Sequence, residues 1–338
     1  MLVVMDNTAT PEMVERVREE ITRMGLSAHP LTDRNRTAIG VTGYNGNVAV
    51  ERLRTLDGVR EVIRYGDRYH LVSREHQPED TIVTLDDIVI GGDHFPVLAG
   101  PCSIESRDQA FRIAEIVAEE GVRVFRGGAF KPRTSPYSFQ GLGEAGLEIL
   151  AEVREQFNLR IVTEAMDTES IELVAETADI IQIGSRNMQN YSLLKKAGKL
   201  RKPVLLKRGM AATVQEFLLA AEYILDGGNA EVILCERGIR MVANRPGNML
   251  DLASIIDLTR LSHLPVLADP SHASEERSKV APLSRAALAV GANGLLVEVH
   301  HEPGQALSDG AQALTPDGFR EMMTELRRLA VALNKEFV

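Results

Sequence analysis

Residues 97–128 read VLAGPCSIESRDQAFRIAEIVAEEGVRVFRGG, and this stretch decides the fold. A short apolar run, Val97–Ala99, ends in Gly100-Pro101-Cys102-Ser103; a helical pattern follows over Asp108–Glu120; a second apolar run, Val122–Phe125, ends in Arg126-Gly127-Gly128. The same unit then recurs. Apolar runs stand at Ile161–Thr163, Ile180–Ile183, Val204–Leu206, Val232–Leu234, Val266–Ala268 and Leu295–Val297. Helical patterns lie between them, including Leu142–Gln156, Ser170–Thr177, Val214–Leu225, Met249–Thr259 and Leu283–Val290. Eight strand–helix units over roughly 240 residues predict a (β/α)₈ barrel. An open doubly wound sheet needs a reversal of strand order and usually has fewer units. Ahead of the first unit, Ile88–Ile90 and His94–Pro96 around Gly91-Gly92-Asp93 predict a hairpin plugging one end of the barrel.

Working outward toward the N-terminus, the pattern changes. Leu2–Met5 reads as a strand, and Pro11–Met24 as a helix with apolar Met13, Val14, Val17, Ile21 and Met24, ended by Gly25. Ser27–Thr32 and Thr37–Thr42 pair across Asp33–Arg36, Val48–Leu56 is a second helix and Val59–Tyr65 a closing strand. That order, βαββαβ, is the ferredoxin-like pattern. Residues 1–66 are therefore expected to form a small ferredoxin-like domain, resembling ACT-type sensors of small molecules, with a bland packing or oligomerising sheet as the alternative. Residues 67–84, around the polar SREHQPED at Ser73–Asp80, read as a linker, and 85–338 as the barrel.

Composition narrows the function classes. The chain has 338 residues, 44% hydrophobic and 25% charged, which suits a soluble globular chain of about two domains. It offers no long uncharged run for a membrane span, and MLVVMDN is too short and acidic for a signal peptide, so the cytoplasm is expected. Cys102 and Cys235 do not make a disulfide framework. A formal charge of −10 argues against nucleic acid as the main partner, which makes any cluster of Lys and Arg informative.

In such barrels the chemistry sits at the C-terminal ends of the strands. Here those ends carry Cys102; Arg126 with Lys131, Arg133, Thr134 and Ser135; Glu164; Arg186; Lys207; Glu236-Arg237; Asp269 with His272; and Glu298. A single charged residue after an apolar run is ordinarily a strand terminator, but eight in succession are not. Two sets separate by chemistry. Cys102, His272, Glu298 and, in the loop after the eighth strand, Asp309 suit one borderline divalent ion such as Mn²⁺, Fe²⁺, Co²⁺ or Zn²⁺. Their spacing is not that of a structural zinc site. Arg126, Lys131, Arg133, Arg186, Lys207 and Arg237 would repel one another unless the substrates carry several negative charges, as phosphates and a carboxylate do. Cys235 is expected to face the core, Arg208 to form a helix-side salt bridge, and His300-His301 and Arg320–Arg328 to lie on the surface.

At these residues the chain resembles the 3-deoxy-D-arabino-heptulosonate 7-phosphate (DAHP) synthases, metal-dependent transferases that open the shikimate pathway to aromatic amino acids. The resemblance runs through nearly the whole chain, including the N-terminal regulatory domain of the microbial type Iβ subgroup. Its most specific stretches are LAGPCSIES (98–106), FRGGAFKPRTSPYSFQGLGE (125–144), DIIQIGSRNMQN (179–190), KPVLLKRG (202–209), ILCERGIR (233–240), LADPSHAS (267–274) and VEVH (297–300). KPRTS at 131–135 favours DAHP synthases over the related 3-deoxy-octulosonate 8-phosphate synthases, which carry a KANRS-like sequence there.

The resemblance implies Cys102, His272, Glu298 and Asp309 as ligands of one metal ion. It places phosphoenolpyruvate against Arg126, Lys131, Arg186, Lys207 and Arg237. Erythrose 4-phosphate would set its phosphate near Arg133, Thr134 and Ser135 and its hydroxyls near Asp269. Lys131 is the expected donor to the new alkoxide, and Glu164 with Lys207 the pair expected to handle water; Lys207 as a Schiff-base nucleophile is the weaker alternative. His29 fits the family's effector pocket, but Pro30-Leu31 replaces a stretch where related chains can offer a serine hydroxyl, which bears on feedback by tyrosine. A homotetramer, an aromatic amino acid effector and a chorismate mutase partner are further implications. The alternatives are a 3-deoxy-octulosonate 8-phosphate synthase and a non-catalytic partner of chorismate mutase.

Overall fold

A computed structural model describes residues 1–33, 36–42, 50–63, 69–241 and 247–337. The chain divides into two compact units, Met1–His70 and Leu71–Val338.

The first unit is a four-stranded antiparallel sheet in the order Ser27–Asp33, Arg36–Thr42, Leu2–Met5, Val59–Ile63, with helices Pro11–Arg23 and Val50–Arg54. The first helix begins where Thr10 accepts the N–H of Met13, and Pro11 occupies a first-turn position that needs no donor. Its Val17 and Ile21 pack with Val3, Met5, Ile39, Val41 and Val62 of the sheet into one core. The turn expected at 34–35, the start of the second helix at Val48 and the end of the closing strand at Tyr65 lie outside the described residues.

In the second unit, strands Val97–Gly100, Val124–Arg126, Arg160–Ala165, Ile180–Ile183, Val204–Lys207, Val232–Glu236, Val266–Ala268 and Leu295–Glu298 close a parallel barrel. The eighth pairs back onto the first through Leu295↔Val97 to Glu298↔Gly100. Every expected apolar run is a barrel strand. Their ends differ: Arg126, Glu164, Lys207, Glu236 and Glu298 lie inside strands rather than after them.

The period of two along a strand then sorts the interior into layers. Leu98, Val124, Val162, Ile180, Leu205, Ile233, Leu267 and Leu296 form an apolar cluster within the barrel. Two residues further along the same strands stand Gly100, Arg126, Glu164, Gln182, Lys207, Cys235, Asp269 and Glu298. The polar layer is thus the next inward turn of the pleat above an apolar floor. Cys235, the apolar member of the upper layer, is buried and packs onto that cluster, as expected.

The floor is sealed by a hairpin whose pairing differs from the expected one. Ile88–Ile90 pairs antiparallel with Val83–Leu85, and Val83, Ile88 and Ile90 join the barrel cluster. Asp86, at φ 54°, makes the two-residue turn, a left-handed position that Asp tolerates. Gly91 and Gly92, at φ 118° and 58°, then swing the chain away, and His94–Phe95 pairs instead with Glu336–Phe337. From Leu71 onward the segment read as linker is packed on the barrel unit. The N–H groups of Leu71 and Val72 go to the Glu222 carboxylate, and Ser73 bridges to Ser262.

Two helices start elsewhere than expected. Gly247–Met249 forms a hairpin with Ile239–Met241, so the following helix is Leu252–Leu261, capped where Asp251 accepts the N–H of Ser254. A later helix, Arg277–Ala289, carries Pro282 inside it, with Val280 and Ser284 buried on either side. The salt bridge expected of Arg208 is present, buried between Glu236 (2.8 Å) and Asp251 (3.2 Å). One surface reading is corrected. His300 is buried, stacked on His301 at 4.8 Å. Among the described residues no helix is long and apolar enough to cross a membrane.

Candidate active site

At the C-terminal end of the barrel the polar layer opens into a cavity of about 600 Å³. Arg126, Lys131, Arg133, Glu164, Arg186, Lys207, Arg237, His272 and Asp309 line it. All six cations singled out from the sequence therefore face one space. Ser135 and Thr134 are exposed outside that lining, although Thr134 Oγ1 lies 3.4 Å from Arg186 Nη2.

On one side of the cavity Cys102, His272, Glu298 and Asp309 each offer a ligand atom, all within 4.8 Å of one another. Cys102 Sγ lies 3.0 Å from Asp309 Oδ2, and His272 Nε2 lies 3.3 Å from Glu298 Oε1. The short helix Pro270–Ser274 presents the imidazole. Its N-cap Asp269 accepts the His272 N–H at 2.9 Å and faces His272 Nδ1 at 2.7 Å. A carboxylate there holds the proton on Nδ1 and leaves the Nε2 lone pair for the cluster, the usual support for a metal-bound histidine. Glu298 is held from both sides, by Arg126 Nη1 at 2.8 Å on Oε1 and Gln312 Nε2 at 2.6 Å on Oε2. Thiolate, imidazole and carboxylates, mutually close and separately braced, fit one divalent ion.

The electrostatics agree with that fit. Burial pushes the Cys102 thiol up to about 12, and the Glu298 charge adds to it against the pull of Lys131. Burial also opposes ionisation of Glu298, but His272 and Arg126 outweigh it and hold the carboxyl below its ordinary value. Asp309 is lowered likewise, the bond from Cys102 and the neighbouring His272, Lys131 and Arg133 overcoming its burial. Without a cation the cluster is thus a thiol beside ionised carboxylates, and a metal must displace the thiol proton.

Lys131 Nζ donates to Cys102 Sγ at 3.0 Å and to the Cys102 carbonyl at 3.1 Å. The carboxylate that Lys207 Nζ meets is Asp269, not Glu164. Glu164 instead accepts from Gln182 Nε2 at 3.1 Å, its partner across the third and fourth strands. Buried Arg126 Nε and Arg237 Nη1 have no hydrogen-bond partner among the described residues and remain available to an anion. Asp269 is fully buried by Lys207 and His272, which places it beneath the cavity rather than on its wall. Burial opposes its charge, yet His272 and Lys207, by charge interaction and hydrogen bonding, hold it well below the ordinary carboxyl range.

Sequence reasoning missed Gln182, Gln312 and the pair Asn248–Glu275 on the cavity rim. Gln182 left a signal, a polar residue inside the apolar run Ile180–Ile183; the rim pair depends on a hairpin that has none.

Fold and site together define a (β/α)₈-barrel enzyme with a candidate metal centre set in a cationic cavity. The chain belongs to the DAHP synthetase I family. The model of that family matches residues 74–334, and that of the DAHP synthase ferredoxin-like domain matches residues 1–65. The chain is 49% identical over 333 residues to a phospho-2-dehydro-3-deoxyheptonate aldolase of Thermotoga maritima, covering 98% of each. A 2-dehydro-3-deoxyphosphooctonate aldolase of Syntrophotalea carbinolica is 35% identical, over 71% of this chain and 92% of its own. The crystal structure of the Thermotoga maritima phospho-2-dehydro-3-deoxyheptonate aldolase superimposes with a TM-score of 0.87 at 48% identity, covering 100% of this chain and 99% of that one.

Proposed function

We propose that this protein is a DAHP synthase, condensing phosphoenolpyruvate with erythrose 4-phosphate and water to give DAHP and phosphate. The observation that carries the reading is the meeting of the four-ligand cluster and six cations in one cavity, in a chain 49% identical to a named DAHP-forming aldolase.

We assign phosphoenolpyruvate to Arg126, Lys131, Arg186, Lys207 and Arg237, whose forks and ammonium groups match phosphate and carboxylate. Erythrose 4-phosphate would set its phosphate on Arg133 and Thr134. Bound by Cys102, His272, Glu298 and Asp309, a divalent ion such as Mn²⁺, Fe²⁺, Co²⁺ or Zn²⁺ would supply Lewis-acid polarisation of the aldehyde. Holding both reactants fixed removes much of the entropic barrier to forming the bond between carbon 3 of phosphoenolpyruvate and the aldehyde carbon. Lys131 Nζ, a buried donor, gives its proton to the new alkoxide. Burial alone would lower this ammonium, but neighbouring Cys102 and then the carboxylates of Glu298 and Glu164 outweigh it and raise it above its ordinary value. Water adds at carbon 2 with Glu164 taking its proton, and the resulting hemiketal phosphate expels inorganic phosphate to leave the ketone. Lys207, paired with Asp269, acts as a donor rather than a Schiff-base nucleophile.

We assign effector binding to the N-terminal unit, where exposed His29 Nε2 meets Thr42 Oγ1 at 2.9 Å, and expect a homotetramer. The deciding assay follows phosphate release from phosphoenolpyruvate with erythrose 4-phosphate against arabinose 5-phosphate, with and without tyrosine and phenylalanine. Preference for erythrose 4-phosphate is expected; equal or greater turnover with arabinose 5-phosphate would make the protein the octulosonate enzyme instead.

A further inference from the structure

Of the four clustered side chains, three are carried by or beside barrel strands, whereas Asp309 comes from the loop that follows the eighth strand. Its backbone is in the left-handed region at φ 50°, which an aspartate tolerates better than most residues and which its surroundings here hold in place. Those surroundings are specific. On the N-terminal side, Ser308 Oγ lies 2.5 Å from Ser103 Oγ, both buried. Ser103 is the neighbour of Cys102 and Ser308 the neighbour of Asp309, so this contact ties two of the clustered residues together through their adjacent positions. Glu105 Oε1 accepts the N–H of Leu307 at 2.8 Å, and buried Gln109 holds the Ser103 carbonyl at 3.0 Å. On the C-terminal side, Arg277 donates to the carbonyls of Gly310 and Ala313, and its own N–H goes to Ala311.

We infer that Ser308, with Ser103 and Glu105 on one flank and Arg277 on the other, forms a clamp that positions Asp309 for metal binding. This rests on the ligand assignment made above. None of the clamp residues is placed as a ligand. Their work is to hold a loop carboxylate at ligand distance before the ion arrives, so that binding does not pay for ordering the loop. Loss of such an outer partner typically weakens metal affinity about 10- to 100-fold.

The test measures Mn²⁺ dissociation from the full-length protein by competition with a chromogenic chelator, together with the visible d–d bands of the Co²⁺-loaded protein. Ser308→Ala is expected to weaken Mn²⁺ about 10- to 100-fold and to change the Co²⁺ bands, with the melting temperature of the metal-free protein little altered. Glu105→Ala, which removes the acceptor for Leu307, is expected to weaken Mn²⁺ in the same direction and serves if Ser308→Ala does not fold. Asp309→Asn is the reference. If Asp309→Asn weakens Mn²⁺ while the clamp variants bind as the parent does, the clamp is refuted and the ligand assignment stands. If Asp309→Asn itself binds Mn²⁺ unchanged, the ligand assignment fails and the clamp with it.

Discussion

Gly184 lies beneath the carboxylate that we assign to water. A Cβ built on Gly184 would stand 2.0 Å from Glu164 Oε1 and 2.8 Å from its carboxyl carbon. The backbone itself accepts a side chain, since φ is −68° and ψ 160°, so Gly184→Ala tests space and not strain. Ordinary contact begins near 3.4 Å, so the carboxylate must withdraw by about 1.4 Å, a misplacement on the scale that costs roughly 100-fold in rate. It cannot withdraw freely, because Glu164 is buried and its other oxygen is held by Gln182 at 3.1 Å. Gly184→Ala should therefore lower kcat about 100-fold while KM for both substrates moves by no more than a few-fold. The assay is steady-state phosphate release with Mn²⁺ saturating, alongside the melting temperature and Glu164→Gln as reference. Parent-like kcat in Gly184→Ala, with Glu164→Gln slow, would refute the claim that the position of this carboxylate matters. Parent-like kcat in Glu164→Gln would remove Glu164 from the mechanism altogether.

Chelation should abolish turnover and Mn²⁺ restore it; full activity in metal-free protein would remove the metal assignment of Cys102, His272, Glu298 and Asp309. Lys131→Ala should lose turnover far more than thermal stability, and an unaltered rate would exclude it as the proton donor. Asp251 caps the helix Leu252–Leu261, and although burial opposes its charge, its bonds to Ser254 and Arg208 hold its carboxyl below the ordinary value. The stabilisation from that depressed group is present above its unfolded pKa and is lost as pH falls through the folded one. Asp251→Ala should cost about 0.5–2 kcal/mol in urea unfolding at neutral pH, with the gap closing below about pH 4; a gap that widens in acid would contradict the sign. Ile90 of the floor hairpin is fully buried in the barrel cluster, so Ile90→Ala should cost about 2–5 kcal/mol, and a loss well under 1 kcal/mol would show that the plug is not packed.

Much of the site was legible because each strand end is local information. An apolar run followed by a charged residue reads the same in sequence and in space, and so Cys102, Glu298 and the six cations could be assembled without coordinates. Even Asp309, in the loop after the eighth strand, was grouped with that set by its chemistry, and the structure brings it to 3.0 Å from Cys102. The misreadings share a different cause. Arg208 reads as a salt bridge, but its burial and its partners, Glu236 and Asp251, come from other segments. His300 reads as surface, but the fold buries it. Ile88–Ile90 was paired with the wrong neighbour because the Asp86-Asp87 turn competes with the equally plausible Gly91-Gly92.

The sequence alone determined the alternation of strands and helices, hence a closed parallel barrel, and also the end of it that carries the chemistry. Those follow from periodicity and from the direction of each strand, which are properties of short segments. Only the tertiary structure decided that Lys207 meets Asp269 and that Glu164 rests over Gly184 against Gln182. It also decided that Asp309 is clamped between Ser308 and Arg277. Those neighbours lie on different strands and loops, and their meeting depends on how the strands stagger when the barrel closes, a relation that no single segment contains.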